Sequence, residues 1–554
     1  MSVQQAIDAA RERFEIPANL PERIPATIVE VLRQGVKTAP KAPAFSALGG
    51  TLSYRKLDKL SDNFASYLQH HTALKPGDRL AIQLPNLLQY PVVVFGALKA
   101  GMVLVNTNPL YTPRELEKQL MDSGARALVV LDSLLHNSLE ALPKTDVGLI
   151  ISTSAVDMLP PAKGVLMGAA IKLLGKGRKV ARQDNEVALL KALAQGGKQA
   201  RTKVDIQPET LALLQYTGGT TGVAKGAELT HRNMMANTIQ ILGILKGGGL
   251  KVGKEIIIAP LPLYHIFAFM GSMVLMLYLR GHVHLIPDPR NLPSMIKVLR
   301  NSRFSIFFGL NTLFAGLMRH KDFPKVDCSA LKLTISGGMA LTDVVAEQWQ
   351  QMTGCTITEG YGLTETSPVV SVNIPGHEVL GTIGVAVPGT EVRIVSEGMD
   401  QPLNEGGELW VRGPQVMRGY WNSPEETAEC LDGEGWLRTG DIASVDDNGL
   451  LRILDRMKDM IIVSGFNVYP NEIENVLNSH PDVQESAAIG IPDDDSGEAI
   501  KVFAVITDPE LTADKLKDWC REQLTGYKVP QQFEFCEDLP KSNVGKVLRA
   551  KLRT

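Results

Sequence analysis

Short apolar runs separated by helical patterns constrain this chain more than any other feature. Leu128–Leu131, Leu211–Leu214, Ile256–Ile258 and Leu333–Ile335, apolar except for Thr334, read as strands buried on both faces. Between such runs lie amphipathic stretches. Thr112-Pro113-Arg114-Glu115 combines a capping box with proline at the first helical position and predicts a helix start; Asp343–Met352 predicts another helix. This alternation predicts an α/β protein with mostly parallel sheets. Around Val392 the texture changes. Glu391–Val395, Gly407–Val411 and Leu450–Leu454 read as strands between Gly, Pro and Asp turns, a smaller β-rich unit. Beyond Asp455 a strand (Met460–Val463), a helix (Pro470–Asn478), two strands (Ala487–Ile491, Val502–Ile506) and a helix (Ala513–Gln523) suit a compact α+β domain. The expected division is therefore 1–455 and 456–554.

Composition narrows the class. A 554-residue chain with 44% hydrophobic and 21% charged residues is ordinary for a globular protein, and its length allows several domain-sized units. A formal charge of −3 gives no support for whole-protein binding to nucleic acid. Cys328, Cys355, Cys430, Cys520 and Cys536 form no CxxC pair, which argues against a disulfide framework or zinc ribbon and suits a reducing compartment. The N-terminus mixes charges and shows no apolar secretory core. Ile256–Leu279 lacks Lys, Arg, Asp and Glu and is long enough to span a bilayer, but Pro260, Pro262 and His265 interrupt it. A buried strand followed by a buried helix is the expectation. A cytoplasmic chain follows.

The strongest local signal is Tyr216-Thr-Gly-Gly-Thr-Thr-Gly-Val-Ala-Lys225-Gly226, directly after an apolar strand. Gly218, Gly219 and Gly222 let backbone N–H groups approach an anion; Thr217, Thr220 and Thr221 add hydroxyls and Lys225 adds charge. That chemistry suits phosphate. The spacing is neither that of a P-loop nor that of a dinucleotide fingerprint.

With this loop, five further motifs in order resemble the adenylate-forming superfamily of acyl-CoA synthetases, firefly luciferases and peptide-synthetase adenylation domains. They are Pro260-Leu-Pro-Leu-Tyr-His265, Gly360-Tyr-Gly-Leu-Thr-Glu-Thr366, Gly435-Trp-Leu-Arg-Thr-Gly-Asp441, Asp455-Arg-Met-Lys-Asp459 and Pro540-Lys-Ser-Asn-Val-Gly-Lys546. Longer runs resemble the bacterial long-chain fatty acid–CoA ligases: Leu84–Tyr90, Asn108–Leu116, Val463–Ile473 and Leu524–Pro530. The resemblance covers nearly everything except 145–203. It implies a large N-terminal adenylation domain, built of two α/β sheet subdomains and a β-rich subdomain, and a small mobile α+β C-terminal lid.

The implied reaction has two halves. A carboxylate attacks the ATP α-phosphate, giving acyl-AMP and pyrophosphate; the coenzyme A thiol then displaces AMP. Positioning and charge stabilisation suffice, without an enzyme nucleophile. The resemblance implies that Thr217–Lys225 holds the β- and γ-phosphates and that Glu365 ligates Mg²⁺. Thr364 would touch the α-phosphate and Tyr361, beside Gly360, would stack on adenine, with the Gly338 and Met339 backbone nearby. Asp441 would accept from the ribose hydroxyls, with Arg456 on the ribose or phosphate side. Lys546 would neutralise charge at the α-phosphate, Lys458 would be the hinge, and Gly465 would lie on the coenzyme A path. His265, Phe267, Phe269, Asn311, Thr312 and Gly337 are candidate acyl-pocket residues; a long-chain relative has a gating Trp where Phe269 stands, so that gate does not carry over unchanged.

Residues 163–182 carry Lys163, Lys172, Lys176, Arg178, Lys179 and Arg182 among apolar residues, with no Asp or Glu. This suits a surface helix resting on anionic lipid, peripherally on the inner face of the cytoplasmic membrane. A solvated basic loop is the competing reading. For the enzyme itself, the competing substrates are medium-chain or aryl carboxylates, or a separate carrier protein in place of coenzyme A. An attached carrier domain is disfavoured because the chain ends at Thr554. A non-catalytic acyl or nucleotide sensor is a different class, disfavoured because Lys546 and Glu365 are present. Chain-length preference, homo-oligomerisation and pathway direction stay open.

Overall fold

This computed structural model describes residues 1–554 except 176, 218–223, 340, 465, 494–495, 543–544 and 554. Among the described residues the strands form four sheets. A seven-stranded sheet runs in the order Glu186–Ala188, Leu149–Thr153, Ala125–Leu131, Arg79–Gln83, Val103–Asn106, Leu211–Tyr216, Gly226–Thr230. Its strands pair in parallel until the last two, which are antiparallel. The glycine- and threonine-rich loop thus joins two adjacent antiparallel strands. The following helix, His231–Leu245, starts only after the return strand, so the chain runs from the loop into a strand and not into a helix.

The nine-stranded second sheet has a parallel centre of His282–Leu285, Ile256–Ala259, Ile306–Gly309, Leu333–Gly337 and Ile357–Gly362. The apolar runs read as doubly buried strands occupy the interiors of these two sheets, where both faces are covered. Helix Gln89–Lys99 is buried at every residue. Just before it, Asn86 Nδ2 donates to the Ala259 and Leu261 carbonyls of the other sheet, and the Tyr90 hydroxyl lies 2.9 Å from the Leu263 carbonyl. Buried polar contacts of this kind fix the relative setting of the two sheets.

The helix Pro113–Ser123 carries the expected capping box, with Pro113 in its first turn. Ile256–Leu279 is indeed strand then helix, but the helix widens to π geometry over Phe269–Leu275 and every residue there is buried. No helix among the described residues is long and apolar enough to cross a membrane. All five cysteines are free thiols.

The β-rich unit is a five-stranded antiparallel sheet: Met399–Asp400, Glu391–Ser396, Gly407–Arg412, Leu437–Val445, Leu451–Arg456. The C-terminal part has its own sheet, its helices Pro470–Asn478 and Ala513–Gln523, and its own apolar cluster around Ile473, Ala488, Val502 and Leu516. Its central hairpin, Val483–Asp493 with Gly497–Ile506, exceeds the expected spans. The added residues are largely polar and partly exposed, so hydrophobic periodicity did not mark them.

Candidate functional site

Three strands and one C-terminal loop bring Tyr361, Asp441, Arg456 and Lys546 into one neighbourhood. Asp441 and Arg456 are register partners on adjacent strands of the five-stranded sheet. Arg456 Nε lies 3.0 Å from Asp441 Oδ1, and the Tyr361 hydroxyl donates to Asp441 Oδ2 at 2.5 Å. The buried Asp441 carboxylate is therefore oriented from both sides. Each oxygen keeps capacity for a further donor, as two ribose hydroxyls require. Tyr361 is the last but one residue of the strand Ile357–Gly362, and its phenol stays protonated because burial and Asp441 both disfavour the phenolate.

Lys546 enters this neighbourhood from the opposite end of the chain. Its loop is pinned by Ser542 N–H to the Lys546 carbonyl at 2.7 Å and by Leu548 N–H to the Pro540 carbonyl at 2.7 Å. Gly545 adopts φ +82°, and a Cβ there would stand 3.3 Å from Thr312 Oγ1, so the loop lies against the start of helix Asn311–Arg319. Desolvation, then the nearby Arg456 charge, pushes the Lys546 ammonium down to about 8; Asp441 opposes them, and Arg549 and Lys458 reinforce them. A lysine in such surroundings is placed for a ligand that brings negative charge.

Glu365 sits in the turn Thr364–Thr366 that follows Tyr361, with Thr364 leading it. The Tyr420 hydroxyl donates to Glu365 Oε1 at 2.6 Å. At the neck of the loop, Thr217 N–H donates to the Lys225 carbonyl at 3.0 Å, and Lys225 Nζ lies 3.9 Å from Glu426 Oε1. Gly218, Gly219, Thr220, Thr221 and Gly222 lie outside the described residues, as does Gly465. Gly360 and Gly337 are register partners; Gly338 follows at φ +87°, with Met339 next to it.

The acyl-pocket candidates divide. A Cβ on Gly337 would be 3.2 Å from the Gly360 carbonyl and 3.5 Å from the Phe267 ring, so these residues adjoin closely. Phe267 stacks on Phe308 with centroids 5.7 Å apart and planes 10° from parallel. Phe269 is fully buried in the main apolar cluster, and Asn311 Oδ1 accepts from Thr342 N–H at 3.1 Å, tying the start of its helix to the cap of helix Asp343–Thr353. His265 Nδ1 accepts from Phe267 N–H, and burial pushes its imidazole down to about 4, so it is neutral at pH 7. Lys458 is exposed on the short turn Met457–Asp459 between two sheets.

Sequence reasoning passed over Tyr420 and Glu359. Tyr420 had a signal in Arg418-Gly-Tyr-Trp421, a glycine before paired aromatics. Burial raises the Glu359 carboxyl to about 8, and nothing local in the sequence announced it.

A model of the AMP-binding enzyme family matches residues 32–421, and one of the AMP-binding enzyme C-terminal domain matches 472–546. The chain belongs to the AMP-binding enzyme family. It is 49% identical over 546 residues to a long-chain-fatty-acid–CoA ligase of Escherichia coli O157:H7, covering 97% of this chain and 96% of that protein. A long-chain-fatty-acid–CoA ligase of Bacillus subtilis (strain 168) is 36% identical, with 97% and 96% covered. Among solved structures, the anthranilate CoA ligase AuaEII in complex with anthranoyl-AMP superposes with TM-score 0.83 at 25% identity, covering 96% of this chain and 97% of that one.

Proposed function

We propose that this chain is an AMP-forming ligase that joins long-chain fatty acids to coenzyme A through an acyl-AMP intermediate. The carrying observation is the Lys546 loop seated against the start of helix Asn311–Arg319, near enough for the paired Asp441 and Arg456 to act on the lysine's charge, in a chain nearly half identical along its length to a ligase of that name. In the first half-reaction a fatty acid carboxylate oxygen bonds to the α-phosphorus and the bond to pyrophosphate breaks. Tyr361 and Asp441 hold the nucleoside, Thr364 and the loop from Thr217 to Lys225 hold the phosphates, and the Lys546 ammonium offsets charge at the α-phosphate. In the second, the coenzyme A thiolate attacks the acyl carbon and AMP leaves. For that step residues 456–554 turn as a lid about Lys458, with Gly465 on the thiol's path.

Mg²⁺ fits the donors present. Among the described residues, no group of three or more His, Cys, Asp and Glu forms a self-sufficient metal cage. Glu365 is a single carboxylate beside the phosphate-loop neck; Tyr420 occupies Oε1, and Oε2 has no hydrogen-bond partner among the described residues. Mg²⁺ characteristically takes one or two carboxylates and completes its shell with phosphate oxygens and water. Bound there, it would neutralise triphosphate charge.

Substrate class is tested by AMP release with MgATP and coenzyme A over a ladder of fatty acids plus one aryl acid. KM is expected to fall with chain length toward a long-chain optimum, each buried methylene adding about 0.8 kcal/mol. An aryl optimum would move the substrate, in keeping with the flat Phe267–Phe308 stack beside Gly337. Absence of AMP with every acid would leave a sensor.

Helix Pro161–Leu173 supports a peripheral membrane role, though less through its basic residues than their number implies. None of its residues is buried; Val165 is 73% exposed and Leu173 88%. Apolar side chains surround the helix on all sides. The basic set is smaller than expected: Arg178 is paired with the buried Glu186 at 2.6 Å, and Arg182 Nε lies 4.0 Å from the same carboxylate. Glu186 lies just past the segment, and the chain folds back to use it. Lys176 lies outside the described residues. Leu166→Glu with Leu173→Glu is expected to abolish flotation with anionic vesicles while leaving ligation of a water-soluble short acid unchanged. Undiminished flotation would remove the membrane role.

A further inference from the structure

Residues 417–421 form a strap from Glu365 to the return strand of the phosphate loop. Met417 N–H donates to the Glu365 carbonyl at 2.8 Å. Arg418 N–H then donates to the Glu228 carbonyl at 3.1 Å, Glu228 N–H to the Gly419 carbonyl at 2.9 Å, and Trp421 N–H to the Gly226 carbonyl at 2.8 Å. Tyr420 stands opposite Ala227 in an antiparallel bridge. The strap thus continues the seven-stranded sheet beyond Gly226–Thr230, satisfying backbone groups along that edge. Its far end is anchored where Trp421 Nε1 and Asn422 Nδ2 both donate to the Asp122 carbonyl at 3.2 Å.

Tyr420 is the side chain through which this strap reaches the site. Its hydroxyl donates to Glu365 Oε1 at 2.6 Å, and its ring centroid lies 5.3 Å from Lys225 Nζ. One side chain therefore touches both the carboxylate assigned to the cation and the lysine assigned to the phosphates. A free glutamate samples several rotamers. A donor on one oxygen selects a rotamer and turns the other oxygen toward a ligand, as outer hydrogen-bond partners do at metal sites. The aromatic face meanwhile limits where the ammonium can sit.

We propose that Tyr420 is a positioning residue that fixes the Glu365 carboxylate relative to Lys225, so that cation and loop grip a single triphosphate. This rests on the assignments of Glu365 and the loop made above. Neither contact with substrate nor proton transfer is required of Tyr420.

Tyr420→Phe keeps the ring against Lys225 and removes only the donor. The Mg²⁺ concentration for half-maximal acyl-AMP formation is expected to rise about tenfold or more, the range seen when outer-shell partners are lost. At saturating Mg²⁺ the rate should largely recover, and KM for the fatty acid and thioester formation from supplied acyl-AMP should not move. Calorimetric ATP binding without fatty acid, where no turnover occurs, should weaken in the presence of Mg²⁺ and not in its absence. Unchanged Mg²⁺ dependence in both assays would overturn the proposal and leave Tyr420 a packing residue. Glu365→Gln, run in parallel, separates the two readings. If it shifts Mg²⁺ dependence and Tyr420→Phe does not, only the positioning role falls; if neither shifts it, Glu365 itself is misassigned.

Discussion

Lys546→Ala is expected to slow acyl-AMP formation by about 10²–10³-fold, the cost of losing one preorganised charge-stabilising donor. Thioester formation from supplied acyl-AMP should be nearly unchanged, because the α-phosphate has then already been transferred. Comparable loss in both halves would overturn the assignment. The setting of Lys546 adds a pH signature. Its ammonium is pushed down to about 8 by desolvation and by Arg456, so it is charged below that pH and neutral above it. Adenylation by the free enzyme should therefore decline as pH rises through about 8. Lys546→Arg should flatten that limb, since a guanidinium stays protonated. Stability runs the other way. The folded pKa lies below the unfolded lysine value of 10.5, so the unfolded chain binds more protons between the two and stability rises with pH across that window. At pH 7 the folded state bears a disfavoured charge. Lys546→Ala should accordingly raise the thermal midpoint at pH 7, and a raised midpoint with lost adenylation excludes unfolding as the cause.

What was legible in the sequence was local. Three consecutively apolar runs, and a fourth broken only by Thr334, marked sheet interiors because strands covered on both faces lose their polar alternation. The helix at Pro113 was legible because its cap is written in four adjacent residues. The phosphate loop stood out by its density of Gly, Thr and Lys, but nothing in it revealed that Gly226–Thr230 returns antiparallel. Contacts made at long range left no period to read. Tyr361 meets Asp441 from 80 positions away and Tyr420 meets Glu365 from 55, and each pair is aligned only by the packing of separate sheets. The same blindness overcounted the basic residues of 163–182, because Glu186 pairs with Arg178 only once the chain turns back. The π geometry of Phe269–Leu275 was equally silent, since an apolar run carries no record of the width of its turn.

Lys458→Pro is expected to impair thioester formation at least tenfold more than acyl-AMP formation, a factor that corresponds to about 1.4 kcal/mol. Lys458 occupies the middle of the turn Met457–Asp459, which joins the strand Leu451–Arg456 of the five-stranded sheet to Ile461–Val463 of the C-terminal sheet. The present setting of the two parts is held by contacts on either side of that turn. Asn471 N–H donates to Asp455 Oδ2 at 2.8 Å and Asn471 Nδ2 to the Leu454 carbonyl at 3.3 Å, and within the C-terminal part Arg549 Nη2 donates to Asn471 Oδ1 at 2.9 Å and so orients that amide. These contacts place Lys546 beside Asp441 and Arg456, the arrangement that adenylation needs. A 3₁₀ turn has φ of about −50 to −70°, within the range of the proline ring, but proline at 458 also disfavours the helical region for Met457, so a smaller loss of acyl-AMP formation is expected beside the larger loss of rotation. Rotating the C-terminal part to present another face requires a large backbone change in a few linking residues, and a fixed φ at 458 opposes it. Single-turnover measurement of each half-reaction separates the effects. Equal rates for both halves in the variant and the parent would mean that the chain pivots elsewhere, and Asp455 or Asp459, anchored residues on either side of Lys458, would be the next positions to lock.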